Sequence, residues 1–154
     1  MKKKEHKHYI ESEQKKGKTV AMACGFFSVF HPGHLEYLKI AKIYCDILIV
    51  GINSDDYLKR VKKKKFFFTE AERKNILSEL RCVDEVFVFK EENFSESLKF
   101  YKPNIFVKGI DYINSINFEE KEICDTEKIK IIIAGERKRY DSSTIAEFYT
   151  YDYE

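Results

Sequence analysis

The segment Ile47–Ile52 reads Ile-Leu-Ile-Val-Gly-Ile, with no polar position. It constrains the fold more than any other part of the chain. An apolar run of this kind does not suit a strand with one face in water; it suits a strand of a parallel sheet covered on both faces. Its neighbours along the chain agree. Thr19–Cys24 is a short apolar segment that reads as a first strand. Gly33–Tyr44 carries Leu35, Leu38, Ile40, Ala41 and Ile43 at helical spacing. Ser54–Val61 reads as a short helix with Ser54 as N-cap. Lys62–Lys65 and then Phe66–Phe68 form a loop of four bases followed by three aromatics. Thr69-Glu70-Ala71-Glu72 is a capping-box pattern opening a helix to about Leu80. Glu85–Phe89 is a strand, and Asn93–Tyr101 a helix ended before Pro103. Ile105–Val107 (strand), Glu119–Thr126 (helix), Lys130–Ala134 (strand) and Ser142–Tyr149 (helix) complete the order. Strands alternating with helices predict an α/β fold with a doubly wound, five-stranded parallel sheet and helices on both faces.

At 154 residues the chain is expected to form one domain, residues 19–154, preceded by a tail. Residues 1–18 hold seven Lys against three Glu, a charge of +4 within a net charge of +2, so the remainder is about −2. The basic excess therefore belongs to a polar segment expected to be a flexible tail, its His6-Lys7-His8 solvated. A body without basic excess argues against nucleic acid as a partner. No apolar run approaches the ~20 residues of a membrane span, and the Lys-rich start lacks the core of a signal peptide. The expectation is a cytoplasmic protein. Its cysteines, Cys24, Cys45, Cys82 and Cys124, are widely spaced and read as reduced thiols in or near the core, with no metal site.

Ligands of such sheets bind at the carboxyl ends of the strands, where strand order reverses. The unusual residues of this chain fall there. Ser28, His31 and His34 follow the first strand; Lys108 and Asp111 follow the fourth; Arg137, Arg139 and Ser142–Thr144 follow the fifth. His31-Pro32-Gly33-His34 sits at a strand-to-helix junction, where free N–H groups of the helix and two imidazoles suit an anion. Lys108 and Arg139 are open between ligand contact and plain surface charge, and Asp55 and Asp56 read as capping or surface residues. Phe66–Phe68 reads as packing under the loop or as a dimer contact.

These residues carry a family resemblance. The chain resembles the cytidylyltransferase-like nucleotidyltransferases, whose hallmark is Gly-x-Phe-Asp followed by His-x-Gly-His. Here that reads Gly25-Phe26-Phe27-Ser28 and His31-Pro32-Gly33-His34. Asn53-Ser54-Asp55, Arg73 with Ile76-Leu77, Val83-Asp84-Glu85-Val86, Val107-Lys108-Gly109-Ile110-Asp111-Tyr112, Arg137 and Ser142-Ser143-Thr144 extend the likeness over most of residues 19–148. Two positions depart from it. Ser28 stands where the family usually has Asp, and Ile110 where it has Gly.

The resemblance implies a Rossmann-like fold and an enzyme that transfers a nucleotidyl group from a nucleoside triphosphate to a phosphorylated small molecule, releasing pyrophosphate. It places His31 and His34 on the α- and β-phosphates, with one or two lysines of the loop, Lys62 and Lys64 best aligned, closing over them. Gly25, Phe26, Phe27, Ser28, Gly33, Lys108, Gly109 and Asp111 line the nucleotide. Arg137, Ser142, Ser143 and Thr144 hold its outer phosphates, and Arg73 faces the acceptor. Mg²⁺ accompanies the triphosphate, and a homodimer is implied. The loop after the fourth strand looks most like the branch that adenylylates sugar phosphates such as heptose 1-phosphate, which favours ATP. The branches making CDP-glycerol or CDP-ethanolamine, archaeal-type FAD synthesis, and an inactive nucleotide-binding homologue remain as alternatives.

Overall fold

The computed structural model describes residues 2–61, 63, 67–135 and 144–145. Along the chain run α1 (Lys3–Lys15), β1 (Val20–Gly25), α2 (Pro32–Ile43), β2 (Ile47–Asn53), α3 (Asp55–Arg60), α4 (Glu70–Ser78), β3 (Glu85–Phe89), α5 (Ser95–Tyr101), β4 (Ile105–Gly109), a 3₁₀ turn (Ile110–Tyr112), α6 (Phe118–Glu127) and β5 (Lys130–Ala134). The strands form one five-stranded sheet in the order β3-β2-β1-β4-β5, with every pairing parallel. The Rossmann-like α/β architecture expected from the sequence is the one observed.

The apolar runs explain the layers. Side chains alternate across each strand, so β1 and β2 feed two cores. Ala21, Ala23, Leu48, Val50 and Ile52 pack with Leu38 and Ala41 of α2 and Leu77 of α4. Val20, Met22, Ile47 and Ile49 pack on the other face with Ile10, Leu98, Tyr101 and Cys124. Gly51 is required by this second core: a Cβ there would lie 2.5 Å from the Phe94 ring. The caps read from sequence are present. Ser54 Oγ accepts from Tyr57 N–H at 3.2 Å, and Thr69 and Glu72 cap each other's backbone. Among the described residues, no helix is long and apolar enough to cross a membrane. All four cysteines are free thiols. Burial pushes Cys24 and Cys124 up to about 12 and Cys45 up to about 11.

Residues 1–18 correct the expectation of a flexible tail. Most of the segment is α1, and α1 is docked. Ile10 is fully buried, with His6 and Glu13 beside it on the same helical face. Gln14 Nε2 donates to Lys102 O at 3.0 Å and to Asn104 Oδ1 at 3.1 Å. The same Asn104 oxygen accepts from Val20 N–H at 2.9 Å, which ties the helix to the start of β1. Lys16 and Lys18 close on the Glu13 carboxylate at 2.6 and 2.5 Å. The buried stripe holds a single aliphatic side chain among polar ones, so a hydrophobic pattern does not reveal it. His6-Lys7-His8 is likewise not uniformly solvated, because His6 is buried against the Phe87 ring, 5.9 Å between centroids.

Two outcomes are expected. Ile10→Ala should lower unfolding free energy by ~2–4 kcal/mol in urea titrations, as for other fully buried aliphatic truncations. His6 should make α1 docking sensitive to acid. Burial holds its pKa below 6.5, against the opposing pull of Glu85, whose carboxylate lies 3.7 Å from Nε2, while the N-terminal amine and Lys74 lower it further. The folded state thus binds fewer protons than the unfolded one. Its contribution is complete above pH 6.5 and is lost as pH falls through the depressed value. Urea midpoints of wild type and His6→Gln, compared between pH 8 and 5, should run parallel above pH 6.5 and diverge as pH falls below it.

Candidate active site

Strand order reverses between β1 and β4, since β2 and β3 lie to one side of β1 and β5 lies beyond β4. The carboxyl ends of β1 and β4 therefore border the crevice where a ligand of this fold sits. Gly25 ends β1, and Gly109 ends β4 and leads into the 3₁₀ turn.

His31 is the N-cap of α2, in extended backbone, and Pro32 takes the first helical position, where a missing N–H costs nothing. The cap is reciprocal. His34 N–H donates to His31 Nδ1, and His31 N–H donates to His34 Nδ1, each at 3.3 Å. The two rings stack with centroids 3.7 Å apart. A ring nitrogen that accepts an N–H carries no hydrogen, so both imidazoles hold theirs on Nε2. The Gly33 N–H, at the second helical position, has no acceptor among the described residues. Two Nε2–H donors and a helix N–H thus belong to one helix end, with the partial positive charge of that end behind them.

The β1–α2 loop is held in an uncommon conformation. Phe27 has φ of 49°, in the left-handed region that a side chain of its size rarely occupies. Its ring is buried, 4.9 Å from the His34 ring, and the Phe30 ring lies 5.6 Å from His34 on another side. A Cβ at Gly25 would come within 3.0 Å of the Phe27 ring, so a side chain there would force that ring to shift. Ser28 is half-buried in the same loop. Tyr37 of α2 donates its hydroxyl hydrogen to Val107 O at 2.7 Å, which fixes α2 against β4 across the crevice.

Arg73 corrects an expectation. A residue facing the acceptor needs a free guanidinium edge, but Arg73 is fully buried and its nitrogens are committed to protein. Nε donates to Phe68 O at 3.2 Å, one Nη to Phe26 O at 2.7 Å, and the other to Asp55 Oδ1 at 2.8 Å. It joins the histidine loop, the N-terminus of α3 and the chain that follows Lys62–Lys65. Asp55, expected as a cap or surface residue, is its counter-ion.

Lys108 is not a surface charge either. It is buried and paired with Glu120 of α6 at 3.0 Å, its ammonium 4.2 Å from the Tyr112 ring centroid. Asp111 lies exposed in the 3₁₀ turn, and Thr144 is exposed and helical. Phe67 and Phe68 are exposed, so those two do not pack under the loop. Lys62, Lys64, Arg137, Ser142 and Ser143 lie outside the described residues. What the structure brings together is Gly25–Ser28, His31, Gly33 and His34 on one side, and Lys108–Asp111 on the other. Sequence reasoning missed Glu120, because a glutamate in the first turn of a helix also reads as a favourable charge at the helix end.

The sequence model of the family described as cytidylyltransferase-like matches residues 22–147. The chain is 41% identical over 104 residues to "Bifunctional protein HldE" of Geobacter metallireducens, covering 67% of this chain and 21% of that protein. It is 39% identical over 140 residues to the protein of the same name from Helicobacter pylori strain Shi470, covering 90% of this chain and 28% of that protein. The chain thus spans less than a third of the length of these relatives. It also resembles the crystal structure of a lipopolysaccharide core biosynthesis protein from Thermoplasma volcanium, with TM-score 0.64 and 29% identity, covering 81% of this chain and all of that one.

Removing the Arg73 guanidinium leaves Asp55 and two carbonyls without their donors. Arg73→Met is expected to cost ~3–5 kcal/mol, the range for breaking one side of a buried charge pair. Thermal denaturation of the variant beside Asp55→Asn, which keeps an acceptor and should cost less, checks this.

Proposed function

Because the chain belongs to the cytidylyltransferase-like family of nucleotidyltransferases, we propose that it transfers a nucleoside monophosphate from a nucleoside triphosphate, ATP before the others, to a phosphorylated small molecule such as a sugar 1-phosphate. Heptose 1-phosphate is the first acceptor to try. The observation that carries this reading is the reciprocal histidine cap at the N-terminus of α2, the helix that follows β1 at the border of the crevice between β1 and β4.

A phosphate oxygen of the acceptor attacks the α-phosphorus in line. The bond from that phosphorus to the oxygen bridging to the β-phosphate breaks, and pyrophosphate leaves with the electron pair. No protein nucleophile is needed. Catalysis rests on position and on stabilising charge that builds on the α- and β-phosphate oxygens. His31 and His34 give Nε2–H bonds to these oxygens. Their tautomer is already set by the cap, so no reorganisation is required when the charge develops. Gly33 N–H adds a third donor. The 3₁₀ turn after β4 forms the nucleoside side of the crevice. In this reading Lys62, Lys64 and Arg137, with the Ser142–Thr144 segment, supply the remaining phosphate contacts.

Mg²⁺ enters with the triphosphate as part of the substrate and offsets its charge. Among the described residues no three His, Cys, Asp or Glu side chains cluster as a metal site. Ser28 brings a hydroxyl rather than a carboxylate to the end of β1.

The test is pyrophosphate release with ATP, CTP, GTP or UTP, each with Mg²⁺ and a panel of sugar 1-phosphates, alongside thermal shifts. ATP with a sugar 1-phosphate should turn over, and saturating ATP should raise the midpoint by roughly 5–10 °C. Turnover with CTP and a phosphorylated alcohol, and none with ATP, would overturn the choice of substrate. His34→Ala should lower kcat by ~10²–10³-fold while ATP binding by calorimetry persists, as expected for loss of a transition-state donor.

A further inference from the structure

Lys108 and Glu120 form an ion pair that is buried on both sides, with side-chain exposures of 9% and 4%. Burying two charges costs more in water lost than a good pairing returns, and an apolar pair of similar volume often serves stability better. The place of this pair gives it another use. Lys108 precedes Gly109 at the carboxyl end of β4, one residue beyond the last pairing of β4 with β1, Val107 with Ala23, and so borders the crevice. Glu120 is held at both oxygens. Oε2 accepts from Lys108 Nζ at 3.0 Å, and Oε1 accepts from Phe94 N–H at 3.0 Å. Its own helix turn is fixed by Asn117 Oδ1, which accepts from Glu119 and Glu120 N–H. The ammonium so anchored lies 5.2 Å from the Phe106 ring centroid beneath it and 4.2 Å from that of Tyr112. The Tyr112 ring is otherwise exposed, on a turn of three residues. A desolvated cation against an aromatic face is the strong form of that contact.

We propose that Glu120 is a positioning residue: through Lys108 and the Tyr112 ring it fixes the 3₁₀ turn Ile110–Tyr112, and with it the affinity for the nucleoside part of the substrate. This rests on the nucleotidyl-transfer reading. The chain of contacts runs from α5 and α6 through one ammonium to the turn. It gives the turn a set conformation before the nucleoside arrives, so less ordering is charged to binding. The histidines and the phosphates lie on the other border of the crevice, so the effect is expected in KM for the nucleotide and not in the chemical step.

Glu120→Gln keeps shape and removes the charge. It should raise the KM for ATP about tenfold, the scale of a small misplacement in a binding site, with kcat and the KM for the sugar phosphate nearly unchanged. Tyr112→Ala should do the same, and Tyr112→Phe, which keeps the ring face, should behave as wild type. The double variant Glu120→Gln/Tyr112→Ala should be no worse than Tyr112→Ala alone, because the two act as one unit. If Glu120→Gln folds poorly, Lys108→Met/Glu120→Leu fills the site with apolar groups. It should fold and still show the raised KM. A wild-type KM in that variant would overturn the proposal, and so would independent, additive effects in the first double variant. Hydrogen exchange across residues 109–117 without substrate separates this idea from the reading beneath it. Faster exchange in Glu120→Gln with no nucleotide activity in the wild type would sink the transfer reading and support the clamp. Unchanged exchange would sink the clamp whatever the activity.

Discussion

One buried guanidinium fixes the geometry on which the site depends. Arg73 is at 0% side-chain exposure, and its acceptors come from three separate segments: the histidine loop, the N-terminus of α3 and the chain entering α4. Each bond is charge-assisted, and a charge without these acceptors could not remain there. The consequence is geometric. Phe26 O points inward to Arg73, the next residue turns left-handed, and the chain reaches His31 at the angle the cap requires. The same arginine holds Phe68 O just ahead of α4.

The histidine cap is the second constraint, and it depends on the first. A Ser or Asp cap would satisfy one orphan N–H and leave nothing to offer a ligand. Two histidines at N-cap and N3 satisfy each other's backbone through Nδ1, which leaves the ring hydrogen on Nε2. A structural need of the helix and a functional need of the site are met by the same atoms. Packing of Phe27 and Phe30 around His34 restricts the ring further. Tyr37 then locks the helix to β4, so the donors keep their place relative to both borders of the crevice.

How much of this was legible in the sequence follows from what each feature is made of. The strands are continuous apolar runs, and β5 begins and ends where its pattern does. The capping boxes are local, so Ser54 and Thr69 could be read directly. The α1 helix could not, because its buried stripe uses His6 and Glu13 beside Ile10, and their partners Glu85, Lys16 and Lys18 give no apolar signal. Arg73 was visible as a marked residue, but the number of its acceptors is a property of loops that meet only in the fold. Lys108 was visible at a strand end. Its partner lies in the next helix at an acidic first-turn position that resembles many others.

If the chain takes a triphosphate as proposed, these placements decide where the attraction for it comes from. Among the described residues at the carboxyl ends of the strands, the Arg73 and Lys108 charges are each matched by a carboxylate, Asp55 and Glu120. They serve as anchors for backbone and turn. On the proposed reading the anion is met first by dipoles: the Nε2–H groups of the two histidines, the Gly33 N–H and the end of α2. Dipoles fall off faster with distance than charges, so they fix orientation well and draw a ligand from afar poorly. Long-range attraction is the natural task of residues on the loops, which the resemblance assigns to Lys62, Lys64 and Arg137. On the same reading Ser28, by carrying no negative charge, would spare a bound phosphate the repulsion that a carboxylate at this position would exert. On this division the rigid part of the site selects geometry and the basic loops supply charge, so a loss in either part should show in a different kinetic constant.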